Sequence, residues 1–321
     1  MTDSPGKTDP PSSPAAKGDS RPSLDQKCPY CGSANLFTRY QIGEHRILRC
    51  KDCTLMWLYP RPKLDELHAV YDASYFQNAH FFEGTTHLFG YYDYFEERFM
   101  KQSAYQGLLR NVKKLLGSFE RGKSRFLDIG CGLGYLMDVA HDEGFQVSGV
   151  EFNHVAAERL RSKFVFPVYS GDVLDFKDKP FDVITLMDVI EHFLDPMASM
   201  AHIRNLVKPG GLLVLTTMDC DGFVSKLLGT RIEDFRRVRE HVFFFTRRAL
   251  SDMLQKYGFE VVQIKSHGHH FRLGFLAHRL KLVSPLFGGF MGFFVKCLRI
   301  EQVTVYVNPL TKMIVYARRR A

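Results

Sequence analysis

The chain after residue 125 alternates short apolar runs with longer stretches in which apolar residues recur every three or four positions. The apolar runs predict β-strands, and the longer periodicity predicts amphipathic helices between them. Strands are predicted at residues 125–129, 146–150, 165–169, 181–187, 212–217, 259–265 and 303–317. Helices are predicted at residues 133–143, 154–163, 196–206 and 246–257. This alternation is typical of βαβ units, so we expect an α/β domain at residues 121–321 with a largely parallel sheet and a loop-rich insert at 267–302.

Two segments ahead of this domain lack the alternation. Residues 1–25 are rich in Pro, Ser, Asp, Lys and Gly and carry almost no large apolar side chains, so we expect a disordered tail. Residues 60–120 combine helical patterns with many aromatic residues just before the first strand of the domain. These rings either pack in the core or fold over the ligand crevice as a lid. The lid hypothesis puts Tyr75, Phe76 and Tyr92 in the pocket, with Tyr75 and Phe76 against the cofactor.

Residues 26–59 contain two Cys-x-x-Cys pairs separated by 18 residues. This spacing is typical of a four-thiolate zinc site. Apolar runs between the pairs predict short strands at 36–40 and 45–49. We therefore expect a small zinc ribbon whose structural Zn²⁺ is held by Cys28, Cys31, Cys50 and Cys53. Four thiolates leave no open position on the metal, so a catalytic role for it is disfavoured.

The first strand of the α/β domain runs into a glycine-rich turn, FLDIGCGLG at residues 126–134. Such a turn lets a ligand approach the backbone, and both a dinucleotide and S-adenosylmethionine (SAM) are candidates. The dinucleotide fingerprint requires a third glycine at position 135, where the chain has Tyr135. Asp128 would also repel a pyrophosphate, whereas it suits the ammonium and sulfonium of SAM. The pattern favours SAM, bound at the turn by Gly130, Cys131, Gly132 and Gly134.

Further cofactor contacts are expected where later strands end. Glu151 ends the second strand of the domain, and its carboxylate can accept hydrogen bonds from both ribose hydroxyls, although NAD sites share this feature. Asp172 follows the third strand and is placed to take the adenine amino group, with the Val173 backbone on a ring nitrogen. Met187 and Asp188 end the fourth strand and are expected to contact SAM at the reacting end.

These residues belong to a series of motifs that occur in one order along the chain. The motifs are Gly130-Cys-Gly132, Gly171-Asp172, Asp182, Asp188-Val-Ile-Glu191-His192 and Val207-Lys-Pro-Gly-Gly211. In order and spacing they resemble class I SAM-dependent methyltransferases over about residues 70–317. The resemblance implies a doubly wound, Rossmann-like, seven-stranded and mostly parallel sheet with an antiparallel last strand. The cysteine module in front resembles a bacterial subgroup that methylates small molecules in polysaccharide and natural-product pathways.

Two histidines are candidates for removing a proton from the acceptor. Methyl transfer from a sulfonium mainly requires alignment of the reactants, but a hydroxyl acceptor must also lose its proton to a base or at a metal. His241 follows the fifth strand of the domain and is the first candidate base; alternatively it pairs with Glu240 or Asp234. His192 is the second candidate. Weaker candidates are His267, His269 and His270.

The segment after the fourth strand is a candidate metal site. Asp188, Glu191 and His192 would share one face of a helical turn. They resemble the E-x-x-E-H cluster of ubiquinone-pathway and small-RNA 2′-O-methyltransferases, which implies a divalent ion such as Mg²⁺ at these three residues. The alternative is that His192 contacts SAM or caps the helix without a metal.

Composition and charge limit the range of possible binding partners only slightly. The 321-residue chain has a net charge of +8, which suits anionic partners without identifying one. It shows no apolar signal segment and no apolar run of about 20 residues, so we expect a cytoplasmic or peripheral membrane protein. The uncharged stretch 282–295 either packs beside the site or meets a membrane interface or an apolar substrate tail. A substrate phosphate could be bound by Arg231, Arg236, Arg237 and Arg239, unless these form a solvated face.

The expected function is SAM-dependent O-methylation of a small-molecule hydroxyl in a sugar, glycolipid precursor or natural product. The acceptor could be phosphorylated or lipid-linked. One alternative is an RNA 2′-O-methyltransferase that uses the zinc ribbon and the basic surface. Nucleic acid is disfavoured because the ribbon has no dense basic run. A non-catalytic SAM-binding scaffold is the remaining alternative.

Overall fold

The computed structural model describes residues 27–70 and 97–321. The tail predicted at 1–25 and the proposed lid residues Tyr75, Phe76 and Tyr92 lie outside the described residues. The described strands are β1 (Leu36–Ile42), β2 (His45–Cys50), β3 (Met56–Tyr59), β4 (Arg125–Ile129), β5 (Gln146–Glu151), β6 (Val168–Ser170), β7 (Phe181–Met187), β8 (Val207–Met218), β9 (Phe243–Phe244), β10 (Phe259–Arg272) and β11 (Thr304–Arg319). The described α-helices are α1 (Leu64–Val70), α2 (Glu97–Leu116), α3 (Tyr135–Asp142), α4 (His154–Lys163), α5 (Pro196–Leu206), α6 (Phe223–Leu228), α7 (Arg247–Lys256), α8 (Leu273–Val283) and α9 (Pro285–Cys297).

The larger sheet has seven strands in the order β10-β11-β8-β7-β4-β5-β6. Strands β4 to β8 run parallel to one another, whereas β11 is antiparallel to both β8 and β10. The chain builds outward from β4 through β5 and β6, and then returns to place β7 on the other side of β4. This confirms the predicted doubly wound, Rossmann-like sheet with an antiparallel last strand.

Helices cover both faces of this sheet. Strand β4 has nearly continuous apolar side chains because both of its faces are buried. On one face Phe126 packs in a cluster with residues of α2, α3 and α4. On the other face Leu127 and Ile129 pack in a cluster that includes residues of α5 and α7. The result is three layers, with the carboxyl ends of the five parallel strands gathered at one edge of the sheet.

The cysteine-containing segment forms a second, four-stranded sheet of order β1-β2-β3-β9. Its first two strands match the predicted ones, but β3 and β9 were not predicted. Strand β9 joins from far along the chain, with Trp57 opposite Phe243 and the Leu58 N–H bonded to the Val242 carbonyl at 2.9 Å. Cys28 lies in the same buried cluster as Phe243. The cysteine segment therefore shares its core with the larger sheet.

Several predicted elements differ from the observed ones: β8 begins at Val207 instead of residue 212, and β10 continues to Arg272 instead of ending at residue 265. The strand expected at 165–169 begins only at Val168, because Pro167 has no N–H to donate to the ladder and Val165 is exposed. The insert expected to be loop-rich is mostly helical and consists of α8 and α9 at the end of the β10–β11 hairpin. Gly288 allows these helices to approach closely, since a Cβ there would lie 2.0 Å from the Lys281 nitrogen.

Candidate functional site

The glycine-rich turn lies at the carboxyl edge, where the strand order reverses between β4 and β7. Ligands of open α/β sheets bind in the crevice at such a point. Gly130 has φ +70°, and a Cβ there would lie 2.5 Å from Val189 Cγ2. The turn after β4 therefore contacts the segment after β7, and only glycine fits both the backbone angle and the space.

Glu151 is buried at the end of β5 and faces this turn. Its Oε2 accepts the Gly132 N–H at 2.7 Å, and its Oε1 accepts the Asn153 N–H at 2.8 Å. Asn153 in turn caps α4 by accepting the Ala156 N–H at 2.9 Å, which holds the strand end and the helix start together. An ionised carboxylate has about four acceptor positions, so this one keeps capacity for hydroxyl donors such as those of a ribose.

Asp128 lies in β4, two residues ahead of the turn, and is 3% exposed. Its Oδ1 accepts the Thr185 hydroxyl at 2.6 Å. Burial raises the pKa of Asp128 to about 7; the Thr185 hydrogen bond opposes this shift and the nearby Glu151 adds to it. A buried carboxyl with this pKa would be stabilised in its charged form by a cation such as an ammonium.

The other predicted cofactor residues occupy the same edge. The Asp172 carboxylate accepts the Leu174 N–H at 2.8 Å and so caps the short turn that begins at Val173. Cys131 is buried in the glycine-rich turn, and Gly134 precedes the first residue of α3 with φ +78°. Met187 is the last residue of β7. The predicted residues within the described part of the chain therefore lie on neighbouring strand ends.

Three side chains form a second cluster just after β7. One ligand atom each from Glu191, His192 and His241 lies within 4.8 Å of the other two. The Val242 N–H donates to the Glu191 carbonyl at 2.8 Å, which holds the two segments side by side. The His192 and His241 rings meet edge to face with centroids 4.8 Å apart. The two histidines predicted separately are therefore neighbours.

Backbone carbonyls fix the orientation of both rings. His192 Nδ1 lies 3.0 Å from the Glu240 carbonyl oxygen, and His241 Nδ1 lies 2.9 Å from that of Asp234. A carbonyl can only accept, so Nδ1 carries the proton and Nε2 carries the lone pair in each neutral ring. Histidines that bind metals commonly donate their other ring N–H in this way.

Burial sets the charge of the cluster. It lowers the pKa of His192, and it holds the pKa of His241 well below its usual range, with His192 adding to the effect. Both rings are therefore neutral at pH 7. Burial and the Asp188 charge raise the pKa of Glu191 to about 8. Glu191 Oε2 is buried and has no hydrogen-bond partner among the described residues.

Asp188 does not join this cluster. Its Oδ2 lies 2.9 Å from Lys312 Nζ, and its Oδ1 accepts the Thr216 hydroxyl at 3.0 Å. Its backbone has φ +57°, in the left-handed region, so it does not continue the strand into a regular helical turn. The three-residue set expected from the D-x-x-E-H pattern is therefore replaced by a set in which His241 takes the place of Asp188.

Of the weaker histidine candidates, His267 lies near the site. It pairs with Lys312 in the β10–β11 ladder, and burial lowers its pKa while the Asp188 charge opposes this shift. His269 pairs with Val307, and the His270 ring packs 5.2 Å from that of Tyr306. The arginines considered for phosphate binding are mostly exposed, as on a solvated face. Arg237 forms a bidentate ion pair with Glu240 at 2.9 Å, whereas the other three are exposed, namely Arg231, Arg236 and Arg239.

Two residues of the site, Lys312 and Thr185, were not predicted from the sequence. Lys312 lies on the last strand, 124 positions from its partner Asp188. Thr185 lies inside β7, where β-branched residues are common, and it bonds Asp128 across the sheet. A polar residue within an otherwise apolar strand was the one available indication for Thr185.

The four thiols predicted to bind zinc also cluster. Their sulfur atoms lie within 4.8 Å of one another. Cys28 Sγ lies 3.5 Å from Cys53 Sγ, and Cys31 Sγ lies 3.6 Å from Cys50 Sγ. Four sulfurs at about 2.3 Å from a tetrahedral Zn²⁺ are about 3.8 Å apart, so the observed spacing fits that ion.

Comparisons with known proteins agree with this geometry. A family profile described as a methyltransferase domain matches residues 94–264, more than half of the chain. The ubiquinone biosynthesis O-methyltransferase of Cereibacter sphaeroides is 30% identical over 158 residues, which cover 44% of this chain and 62% of the relative. The phosphoethanolamine N-methyltransferase 2 of Caenorhabditis elegans is 28% identical over 189 residues, which cover 56% of this chain and 41% of the relative.

The chain thus spans less than two thirds of the length of these relatives. Among solved structures, a SAM-dependent methyltransferase from Archaeoglobus fulgidus is 18% identical, covers 71% of this chain and 100% of its own, and has a TM-score of 0.45. The strand order, the glycine-rich turn and the family profile together identify the class predicted from the motifs. The chain belongs to the methyltransferase-domain family.

Proposed function

We propose that this protein transfers the methyl group of SAM to a hydroxyl of a small-molecule acceptor. We further infer that Glu191, His192 and His241 promote removal of the hydroxyl proton. The cluster of these three side chains carries the proposal. It lies directly after β7, and the glycine-rich turn contacts the same segment through Val189. An acceptor bound beside this segment would lie between the methyl donor and the carboxylate and imidazole groups of the cluster.

The SAM site is proposed on the strand ends at the carboxyl edge. Asp128 would face the methionine ammonium, Glu151 the ribose hydroxyls, and Asp172 with the Val173 backbone the adenine. The fit is supported by the buried carboxyl of Asp128: burial raises its pKa to about 7, and an ammonium beside it would stabilise its charged form. The turn residues Gly130, Cys131, Gly132 and Gly134, with Met187 and Asp188, would line the methionine end. Tyr75 and Phe76 lie outside the described residues and stay predictions.

We further propose that Glu191, His192 and His241 hold a divalent metal ion. Two neutral imidazoles with fixed Nδ1–H groups and one unpartnered carboxylate oxygen fit such an ion. Imidazole nitrogens suit Mn²⁺, Fe²⁺, Co²⁺ or Zn²⁺ better than Mg²⁺, which prefers oxygen ligands. A bound divalent ion would lower the pKa of an acceptor hydroxyl. Without the ion, the Glu191 carboxylate, with a pKa of about 8, is a better matched base than His241.

The choice of a hydroxyl acceptor is supported by the ubiquinone biosynthesis O-methyltransferases among the relatives. The phosphoethanolamine N-methyltransferase is the competing precedent. The test supplies labelled SAM with phenolic, sugar and phosphoethanolamine acceptors, and identifies the methylated atom by mass spectrometry. Methylation of an oxygen is expected, and methylation of phosphoethanolamine nitrogen alone would contradict the proposal.

Substitutions distinguish the proposed proton-removing cluster from the proposed SAM site. We expect Glu191→Gln and His241→Asn to lower kcat by at least about 100-fold, with SAM affinity unchanged by calorimetry. His141→Gln on α3 is the control because this ring is exposed and away from the cluster. Metal content measured by mass spectrometry, with activity before and after chelation, tests the ion. Full activity of a metal-free protein would show that the proton passes to a side chain instead.

Zn²⁺ in the four-cysteine cluster is proposed as a structural ion. The spacing of the sulfur atoms and the burial of Cys28, Cys50 and Cys53 support this assignment. The cluster is closed to ligands and packs against the core of the larger sheet, so its role would be to hold β1 to β3 in place.

A further inference from the structure

The β10–β11 hairpin carries α8 and α9 beyond the carboxyl edge of the sheet. Lys312 of β11 lies opposite Met218, the last residue of β8, and on its other side opposite His267 of β10. The chain between His267 and Lys312 therefore leaves the sheet at the edge where the candidate site lies. Helices α8 and α9 are the two helices of this extension.

Helix α9 exposes large apolar side chains, which a helix of a globular protein normally buries. Leu286 is 90% exposed, Phe290 64% and Phe293 66%. Its buried residues, Gly288 and Val295, are seven positions apart and so lie on one side of the helix. We call the exposed apolar residues the α9 face: Leu286, Phe287, Phe290, Phe293, Phe294 and Leu298.

The packing of α9 on α8 sets which side of α9 faces outward. Gly288 brings α9 against α8 at the Lys281 backbone, so the apolar side chains cannot all turn inward. Phe294 packs against Phe290 with ring centroids 4.8 Å apart and against Phe293 at 6.2 Å. A contiguous aromatic patch of this kind on a protein surface marks an interaction site.

Positive charge lies near the α9 face. Lys296 and Arg299 are exposed at the carboxyl end of α9, and Lys281 is exposed in the last turn of α8, which packs against α9. Residues 268–303 contain five Lys and Arg and one acidic residue, Glu301. Aromatic and aliphatic side chains bordered by basic ones match the interface of a bilayer with anionic lipids, where apolar groups enter the acyl boundary and Lys and Arg meet the headgroups.

We propose that the α9 face docks on an anionic lipid bilayer and lies in the plane of its interface. With 13 residues α9 is too short to span a bilayer, and no described helix has the length and apolar character to cross one. A second copy of the chain fits less well, because pairing two α9 faces would bring the Lys281, Lys296 and Arg299 charges of both copies together. Docking does not depend on the proposed methyl transfer.

The test is co-sedimentation of the full chain with vesicles of phosphatidylcholine alone and of phosphatidylcholine mixed equally with phosphatidylglycerol. We expect binding to the mixed vesicles that weakens with added salt. The double variant Phe290→Ser/Phe293→Ser should bind at least about tenfold more weakly. The double variant Lys296→Glu/Arg299→Glu should lose about tenfold on mixed vesicles only.

Val165→Ser is the matched control, since Val165 is 95% exposed but lies ahead of β6, at the other end of the sheet. It should bind as the wild type does. The substituted residues are exposed, so circular dichroism should show unchanged folding for every variant. Absence of wild-type binding to mixed vesicles at low salt would overturn the proposal. So would a lipid-free dimer that Phe290→Ser/Phe293→Ser converts to monomer, since this would assign the α9 face to a second copy.

Discussion

Lys312 Nζ lies 2.9 Å from Asp188 Oδ2, and this ion pair joins the last strand of the sheet to the residue that follows β7. Both side chains are largely buried. Glu191 lies close enough that the Asp188 charge raises its pKa and the Lys312 charge lowers it, both after the larger effect of burial. The Lys312 charge therefore acts on the pKa of Glu191 although Lys312 does not belong to the candidate catalytic cluster.

Lys312→Met is expected to shift the pH profile of kcat/KM. Loss of the ammonium removes a charge that lowers the pKa of Glu191, and it leaves the Asp188 carboxylate, which raises that pKa, without its counter-charge. The pKa of Glu191 should therefore rise above its present value of about 8. In the metal-free protein, where ionised Glu191 would be the base, activity should appear at a pH higher by about one unit. Lys312→Arg keeps the charge and should keep the profile. An unchanged profile in Lys312→Met would mean that Glu191 does not titrate in the reaction.

SAM affinity is expected to depend on pH through Asp128. The pKa of this buried carboxyl is about 7 in the free protein, so it is largely protonated at pH 6 and largely ionised at pH 8. Only the ionised form attracts the methionine ammonium. The dissociation constant measured by calorimetry should therefore rise by up to about tenfold as the pH falls from about 8 to about 6.

Two variants isolate this effect. Asp128→Asn should bind SAM weakly and with little dependence on pH. Thr185→Val removes the hydroxyl that stabilises the ionised form, so the pKa of Asp128 should rise and the transition should move to higher pH. Equal pH dependence in all three proteins would place the ammonium elsewhere.

Removal of the proposed zinc is expected to loosen the sheet formed by β1, β2, β3 and β9. Trp57, the single tryptophan of the chain, is buried in β3 and pairs with Phe243 of β9. A chelator or Cys53→Ser should shift its fluorescence to longer wavelength and lower the free energy of unfolding by at least about 3 kcal/mol. Cys297→Ser is the control, because this thiol is exposed at the end of α9. Unchanged Trp57 emission after verified loss of metal would speak against a structural ion.

The Arg49–Asp221 pair is expected to couple the cysteine segment to the loop after β8. Two parallel hydrogen bonds of 2.8 Å join the guanidinium and the carboxylate. Burial opposes ionisation of Asp221, but Arg49 together with the Lys226 and Arg39 charges outweighs burial, and the pKa of this carboxyl is lowered. A double-mutant cycle of Arg49→Met and Asp221→Asn, followed by urea unfolding, should give a coupling of about 1–3 kcal/mol. Additive effects of the two substitutions would deny the coupling.

Elements with strong local patterns could be predicted from the sequence. Strands β4 and β7 and helices α4 and α5 have the predicted bounds, because apolar runs and capping residues act within a few positions. The seven-stranded, mostly parallel sheet with an antiparallel last strand was implied by the family resemblance and is confirmed. The insert was expected to be loop-rich, with a packed loop or a helix as alternatives at 282–295, because Pro285 and two glycines do not decide between them when the packing of α9 on α8 is unknown.

Contacts between distant segments could not be predicted in the same way. His241 and Glu191 were candidates for separate roles, and nothing local indicates that a hydrogen bond from Val242 places them side by side. The pairing of β3 with β9 likewise depends on two short strands that gain their stability only from the shared core. Nothing local indicates either that Asp188 pairs with Lys312, which comes from the far end of the chain.

The sequence by itself determined the family, through the order and spacing of its motifs. It also determined the position of the glycine-rich turn, because the backbone angle and the close approach at Gly130 restrict the residue type there. It also determined which four cysteines lie together, since their short spacing limits their separation. Only the tertiary structure decided which charges face one another around Glu191, and that the α9 face points outward. Burial, charge pairing and exposure depend on neighbours that the fold brings from other parts of the chain, and these neighbours set the pKa values and the free surfaces on which function depends.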